Sequence, residues 1–287
     1  MTNALATLGD RYKALSSLLE QQRTALAQVI PPAMAGMTPS RAIRVTLDAC
    51  SRNPKLLECS PRSIVRAVVQ AAEVGLELGS PLGEAYLVPF WSSRKQSSEA
   101  TFVPGYKGLI KLMCLDPNVS HVSAELVRAN DTFDHELGLT PRLVHRPGPG
   151  SDRNRGEVTH AYAVIHYRHG GVPAFTVMDR ESLDVLEKAG KAKDNKFKSG
   201  PWWQHTDEMR RKCPIRRLAK TARVSLHDPA LLSRAIEADE IGDMRATGKL
   251  PDGFVGRRAA EMREMLGAGD APVVVDAEEV VDAEEVE

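Results

Sequence analysis

Several chemistries are missing from this sequence. Only four cysteines are present, Cys50, Cys59, Cys114 and Cys213, widely spaced and with no CxxC pair. That spacing offers neither a disulfide framework nor a zinc site, and it reads as reduced thiols in a cytoplasmic protein. No run of about 18 apolar residues occurs, so no segment is expected to span a bilayer. The N-terminus lacks the basic flank and apolar stretch of a signal peptide. A phosphate loop is absent too. The nearest match runs from Gly242 to Gly248-Lys249, one residue too long, with Leu250 where Ser or Thr is required. There is no Gly-x-Ser-x-Gly elbow. His166 and His169 sit three apart on an expected strand and its turn, where they would face opposite sides. These absences leave no catalytic constellation, no cofactor and no metal site, although carboxylates distant in sequence can still gather in space.

What is present is charge, unevenly placed. The chain has 287 residues, 38 bases and 38 acids, so its formal net charge is zero. Residues 270–287 hold eight of those acids and no base, which leaves the body at 38 bases against 30 acids, or +8. A basic body with an acidic tail favours a polyanionic partner, against the simpler reading of solubility alone. The length suits one large domain or two small ones and can bury a sizeable core.

Periodicity organises the rest. Leu5, Leu8, Tyr12, Leu15, Leu19 and Leu26 recur at helical spacing over residues 3–30 and stop at Pro31-Pro32. Thr38-Pro39 reads as an N-cap and first helical residue, and Ser60-Pro61 repeats that signature ahead of a helix closed by Gly75 and Gly79. Glu84–Phe90 and Thr101–Val103 then read as a hairpin around a polar turn at Ser92–Ser98. Helical spacing returns over 106–115. Val119–Arg128, Thr159–Tyr167 and Pro173–Met178 alternate as strands, with Gly170-Gly171 as a turn. Asp179–Ala189 and Thr206–Val224 read as helices. The expected fold is α+β: a central antiparallel sheet packed with helices, N-terminal helices before it and a flexible acidic tail after it. The expected domains are 1–37, an amphipathic helix; 38–247, the core; and 248–287, a tail that repeats Val-Val-Asp-Ala-Glu-Glu at 274–279 and 280–285.

The segment Lys188–Arg223 carries twelve bases against three acids. On a helix over 206–224, Ile215, Leu218, Ala219 and Ala222 fall on one side. Arg210, Arg216, Arg217 and Lys220 fall opposite them, and Arg211 and Lys212 flank the apolar stripe. Such a face would grip phosphates without sequence preference and in a salt-dependent way. Trp202, Trp203 and the loop lysines Lys191, Lys193, Lys196 and Lys198 precede it, and aromatics beside cations suit single strands. The competing reading is a solvated helix with the tryptophans as core anchors. Pro214 inside the helix removes one hydrogen bond and is expected to kink it. A second candidate is the turn Gly105-Tyr106-Lys107-Gly108, where Tyr106 could stack and Lys107 pair with phosphate, with Lys111 one turn further on the same face. A plain strand-to-helix turn fits it as well.

At these residues the sequence resembles the RecT family of phage-type single-strand annealing proteins. NPKLLECSPRS (53–63), QAAEVGLE (70–77), PLGEAYLVPF (81–90) and GYKGLIKL (105–112) carry the likeness. So do Asp131-x-Phe133, Ala161-Tyr162-Ala163-Val164 and GPWWQHTDEMRRKCPIRRLAK (200–220), in the same order, over roughly 38–226. Pro214 departs from the family pattern. The resemblance implies an ATP-independent, non-enzymatic recombinase of phage or prophage origin, working in the bacterial cytoplasm. Such a protein coats single-stranded DNA as a ring or helical homo-oligomer and pairs it into an annealed duplex. The implied partners are an exonuclease and the host single-strand binding protein. It further implies that Tyr106, Lys107, Lys111, Trp202, Arg210, Arg211, Lys212, Arg216, Arg217 and Lys220 line the DNA groove. The apolar faces of the N-terminal and third helices read equally as subunit contacts or as core. The alternative function is a nuclease-like subunit of a DNA-processing enzyme, with a carboxylate site assembled only in space.

Overall fold

The structure is a computed structural model, and it describes residues 2–34, 36–79, 82–92, 95–152, 154–192, 201–221 and 230–246. The expected tail at 248–287 and the lysines Lys193, Lys196 and Lys198 lie outside these residues. Among the described residues no helix is long and apolar enough to cross a membrane.

The N-terminal part, through Glu73, is helical. One helix was expected over 3–30, but the chain forms α1 (Thr2–Gln21) and α2 (Arg23–Val29), broken at Gln22. The break lets Leu15, Leu19 and Leu26 all enter the core, where α1 and α2 pack on α3 (Pro39–Arg52) and α4 (Pro61–Glu73). These three leucines are therefore core. Thr38 caps α3 as expected, its hydroxyl accepting from the Arg41 amide. Ser60 does not cap α4 in the same way. Instead the Ser63 hydroxyl donates to the Ser60 carbonyl and accepts from the Ala100 amide, which ties α4 to the second strand. Val68, Ala71 and Ala72 at helical spacing bury α4's inner face.

Among the described residues the strands are antiparallel, but they form three sheets. β1 (Ala85–Ser92) and β2 (Ser97–Pro104) make a hairpin with a shorter turn than the polar residues implied, since Ser97 and Ser98 pair with Ser92 and Trp91. The central sheet has the order β3-β6-β7, from β3 (Val119–Arg128), β6 (Val158–Tyr167) and β7 (Ala174–Asp179). A further hairpin, β4 (Thr132–Glu136) with β5 (Arg142–Arg146), was not foreseen. Its root is a buried ion cluster: Asp131, fully enclosed, accepts from Arg155, His145 and the Gly148 amide.

Helices complete the layers. α5 (Tyr106–Met113) follows β2, and α6 (Arg180–Ala192) follows β7 with the Asp179 carboxylate accepting from the Ser182 amide. The short α7 (Pro201–Gln204) leads into α8 (Thr206–Thr221), which packs on β3, β6 and β7. α9 (Ala230–Ala246), also unforeseen, buries Leu231, Leu232 and Ala235 and lies along β2 and α8.

Candidate nucleic-acid interface

α8 is the centre of the site. Cys213, Pro214, Ile215, Leu218 and Ala219 are its buried side, fitted to the inner face of the central sheet. The helix runs unbroken through Pro214, which is itself buried. Arg128 at the end of β3 holds the start of α8 through Asp207.

The four cations expected on one outward face do not share it. Arg210 turns to Glu187 of α6, its guanidinium 2.6 Å from the carboxylate and almost enclosed. Arg216 turns to Asp239 and Asp243 of α9. Only Arg217 and Lys220 are exposed. Lys220 lies 2.8 Å from Glu240, while Arg217 has no carboxylate within ion-pair distance among the described residues. The reason is tertiary: α6 and α9 flank α8 and bring carboxylates to it. Lys212 is half-buried near the same α9 acids, and burial holds its amine below the usual lysine range, with Asp239 and Asp243 acting the other way.

Magnitudes separate these pairs. An exposed pair such as Lys220–Glu240 is worth about 0–1 kcal/mol, so a phosphate can replace Glu240. Asp239 is only 3% exposed, and removing its arginine would cost roughly 3–5 kcal/mol. Arg216 therefore holds α9 to α8, and Lys220 stays available.

Trp202 is partly buried. It packs against the cluster formed by Leu126, Val158, Ala161, Met178, Leu183 and Cys213, and its ring lies so close to Gly190 that a Cβ there would sit 2.0 Å from it. Trp203 instead lies under the Lys191 ammonium at 4.8 Å. A shallow cleft of about 490 Å³ is lined by Arg128, Arg180 and Arg210. Each of these arginines is held by a carboxylate, from Asp207, Asp184 and Glu187 respectively.

The two sequence candidates meet where α5 packs on α8. Tyr106 is half-buried there with Glu208 and Arg211 beside it, and burial first, then Glu208, pushes its phenol up. Arg211 is held by Glu208. Lys107 is exposed on α5. Lys111, expected on the same face, instead reaches inward to the Glu84 carboxylate at 2.8 Å and the Gly75 carbonyl at 3.1 Å. It fastens α5 to the entry of β1. That fit demands glycine: a Cβ at Gly105 would lie 2.2 Å from the Gly83 carbonyl, and one at Gly108 2.2 Å from the Glu84 carbonyl. Gly105 itself has φ −80°, so close approach, not a left-handed backbone, excludes a side chain. Tyr86 of β1 stands beside Gly83 and Gly105 here, a residue that sequence alone places only within the expected strand Glu84–Phe90.

Arg211 and Lys220 are nine residues apart, which at 100° per residue is half a turn. The cations of α8 thus divide between the α5 junction and the exposed C-terminal half. Among the described residues, no group of three or more His, Cys, Asp or Glu could hold a metal ion.

A family model described as the RecT family matches residues 40–250, a span containing every one of these side chains. The chain belongs to the RecT family. It is also 38% identical over 206 residues to Protein RecT of Escherichia coli strain K12, covering 71% of this chain and 72% of that one. It is accordingly a single-strand annealing protein of DNA recombination, and not an enzyme. This RecT-family chain binds single-stranded DNA, and the geometry above supplies the candidate surface.

Proposed function

We propose that single-stranded DNA lies across the α5–α8 junction, with Lys107 and Arg211 on its phosphates and Tyr106 beside them. Arg217 and Lys220 take phosphates further along the strand. The observation that carries this reading is the α5–α8 contact, which gathers an aromatic and two cations from segments a hundred residues apart in sequence. Lys111, Arg210, Lys212, Arg216 and Trp202 support that surface from beneath, through the ion pairs and packing already described.

Annealing then needs no nucleotide. Cations relieve repulsion between two backbones, base edges stay open, and stacking and pairing drive the product. A ring or helical homo-oligomer extends the path over many nucleotides. A partner exonuclease exposes the strand, and the host single-strand binding protein is the competitor for it in the bacterial cytoplasm. Complementary oligonucleotides mixed with the protein, without ATP, test this by fluorescence. Duplex should form faster than in protein-free solution, and an unchanged rate would sink the proposal.

A further inference from the structure

We infer that Tyr86 and Tyr106, set against Gly83 and Gly105, form a stacking site for one unpaired nucleobase, whose flanking phosphates fall to Lys107 and Arg211. This rests on the α5–α8 surface being the DNA path, and it adds what that surface recognises.

Tyr86 is 48% exposed on β1, an unusual position for a large aromatic ring. Among the described residues no hydrogen bond, ion pair or ring contact engages it. A Cβ at Gly83 would lie 2.9 Å from the Tyr86 hydroxyl, and one at Gly105 3.1 Å from the ring edge. Gly83 also has φ +69°, so a side chain there is excluded by strain as well as by space. Two glycines thus keep side chains away from one ring, from two segments joined by the Gly105 amide donating to the Glu84 carbonyl at 2.8 Å. Tyr106 directly follows Gly105 as the first residue of α5, and α5 packs on α8, which carries Arg211. Lys107 completes the rim, its Cδ 3.9 Å from the place a Gly83 Cβ would take.

Partly exposed rings between cations fit a base and its backbone. A duplex hides base faces in its stack, so this site would select single strands. Phosphate contacts alone make no such distinction.

The test compares an oligothymidine with an abasic strand of the same length and charge. Wild-type protein should bind the oligothymidine more tightly. Tyr86→Ala should weaken that binding about tenfold, the scale of one lost base stack, and leave abasic binding unchanged. Tyr86→Phe should behave as wild type. Equal loss on both strands, or no loss on either, overturns the inference. A 5-iodouracil strand photocrosslinked to the wild-type protein answers the same question if Tyr86→Ala fails to fold. Adducts on Tyr86 or Tyr106 support the site, and adducts only elsewhere overturn it. A wild-type protein that bound neither strand would instead refute the annealing surface as a whole.

Discussion

Arg216 and Arg217 are adjacent in sequence and opposite in role. Arg216 is spent on Asp239 and Asp243, whereas Arg217 is exposed. Replacing Arg217 with alanine should leave thermal stability within about 0.5 kcal/mol, as for an ordinary surface site. It should weaken single-strand binding across sequences and lower the salt slope by about one, read from titrations at several salt concentrations. Replacing Arg216 with alanine leaves Asp239 buried without its partner. Denaturant unfolding should show a loss of about 3–5 kcal/mol, and any DNA defect should follow from that. If Arg216→Ala were as stable as wild type, its place in the α8–α9 tie would be wrong.

At the scale of elements, α8 carries an internal proline and still runs from Thr206 to Thr221. A proline in a helix interior costs about 3 kcal/mol relative to alanine. The buried Pro214 ring offsets roughly 1.5–2 kcal/mol through apolar burial. Pro214→Ala should therefore stabilise the protein by about 1 kcal/mol, seen as a higher denaturation midpoint, with little change in DNA binding. The β4–β5 hairpin depends on Asp131 instead. Hydrogen bonding to Arg155 holds this carboxyl far below the usual range against the opposing effect of burial, with the Gly148 and Arg128 amides and His145 helping. A depressed carboxyl stabilises fully above its unfolded pKa of about 4 and loses that contribution as pH falls toward its folded value. Exchange protection in β4 and β5, taken relative to the intrinsic amide rate at each pH, should accordingly fall as pH drops below about 4. Asp131→Asn should be less stable at neutral pH and lose that acid dependence.

For the whole molecule, charge placement matters more than net charge. Residues 270–287 carry eight acids and no base, so deleting them moves the formal charge from zero to +8. Long-range attraction to a polyanion should then strengthen. The shortened protein should bind single strands more tightly at low salt and match the full chain once screening is strong. Equal affinity at low salt would leave solubility as the tail's role.

Much of this protein was legible in its sequence because local rules act locally. Thr38-Pro39 started α3, alternation marked β3 and β6 within a residue, and ordered motifs from 53 to 220 identified the family. The α9 helix was legible in principle, since Asp228-Pro229 precedes Leu231, Leu232, Ala235 and Ile236 at helical spacing. The partners of each cation were not. Helical periodicity places Arg210, Arg216, Arg217 and Lys220 on one side of α8, but it is silent on the carboxylates of α6 and α9 that take Arg210 and Arg216 out of solvent. Nor does spacing show that β1, α5 and α8 converge around Tyr86, Tyr106 and Arg211. Sequence by itself determined the charge, the family and most of the elements, though not the β4–β5 hairpin or α9. Tertiary packing decided which cations and rings face solvent, because exposure depends on neighbours brought from far along the chain.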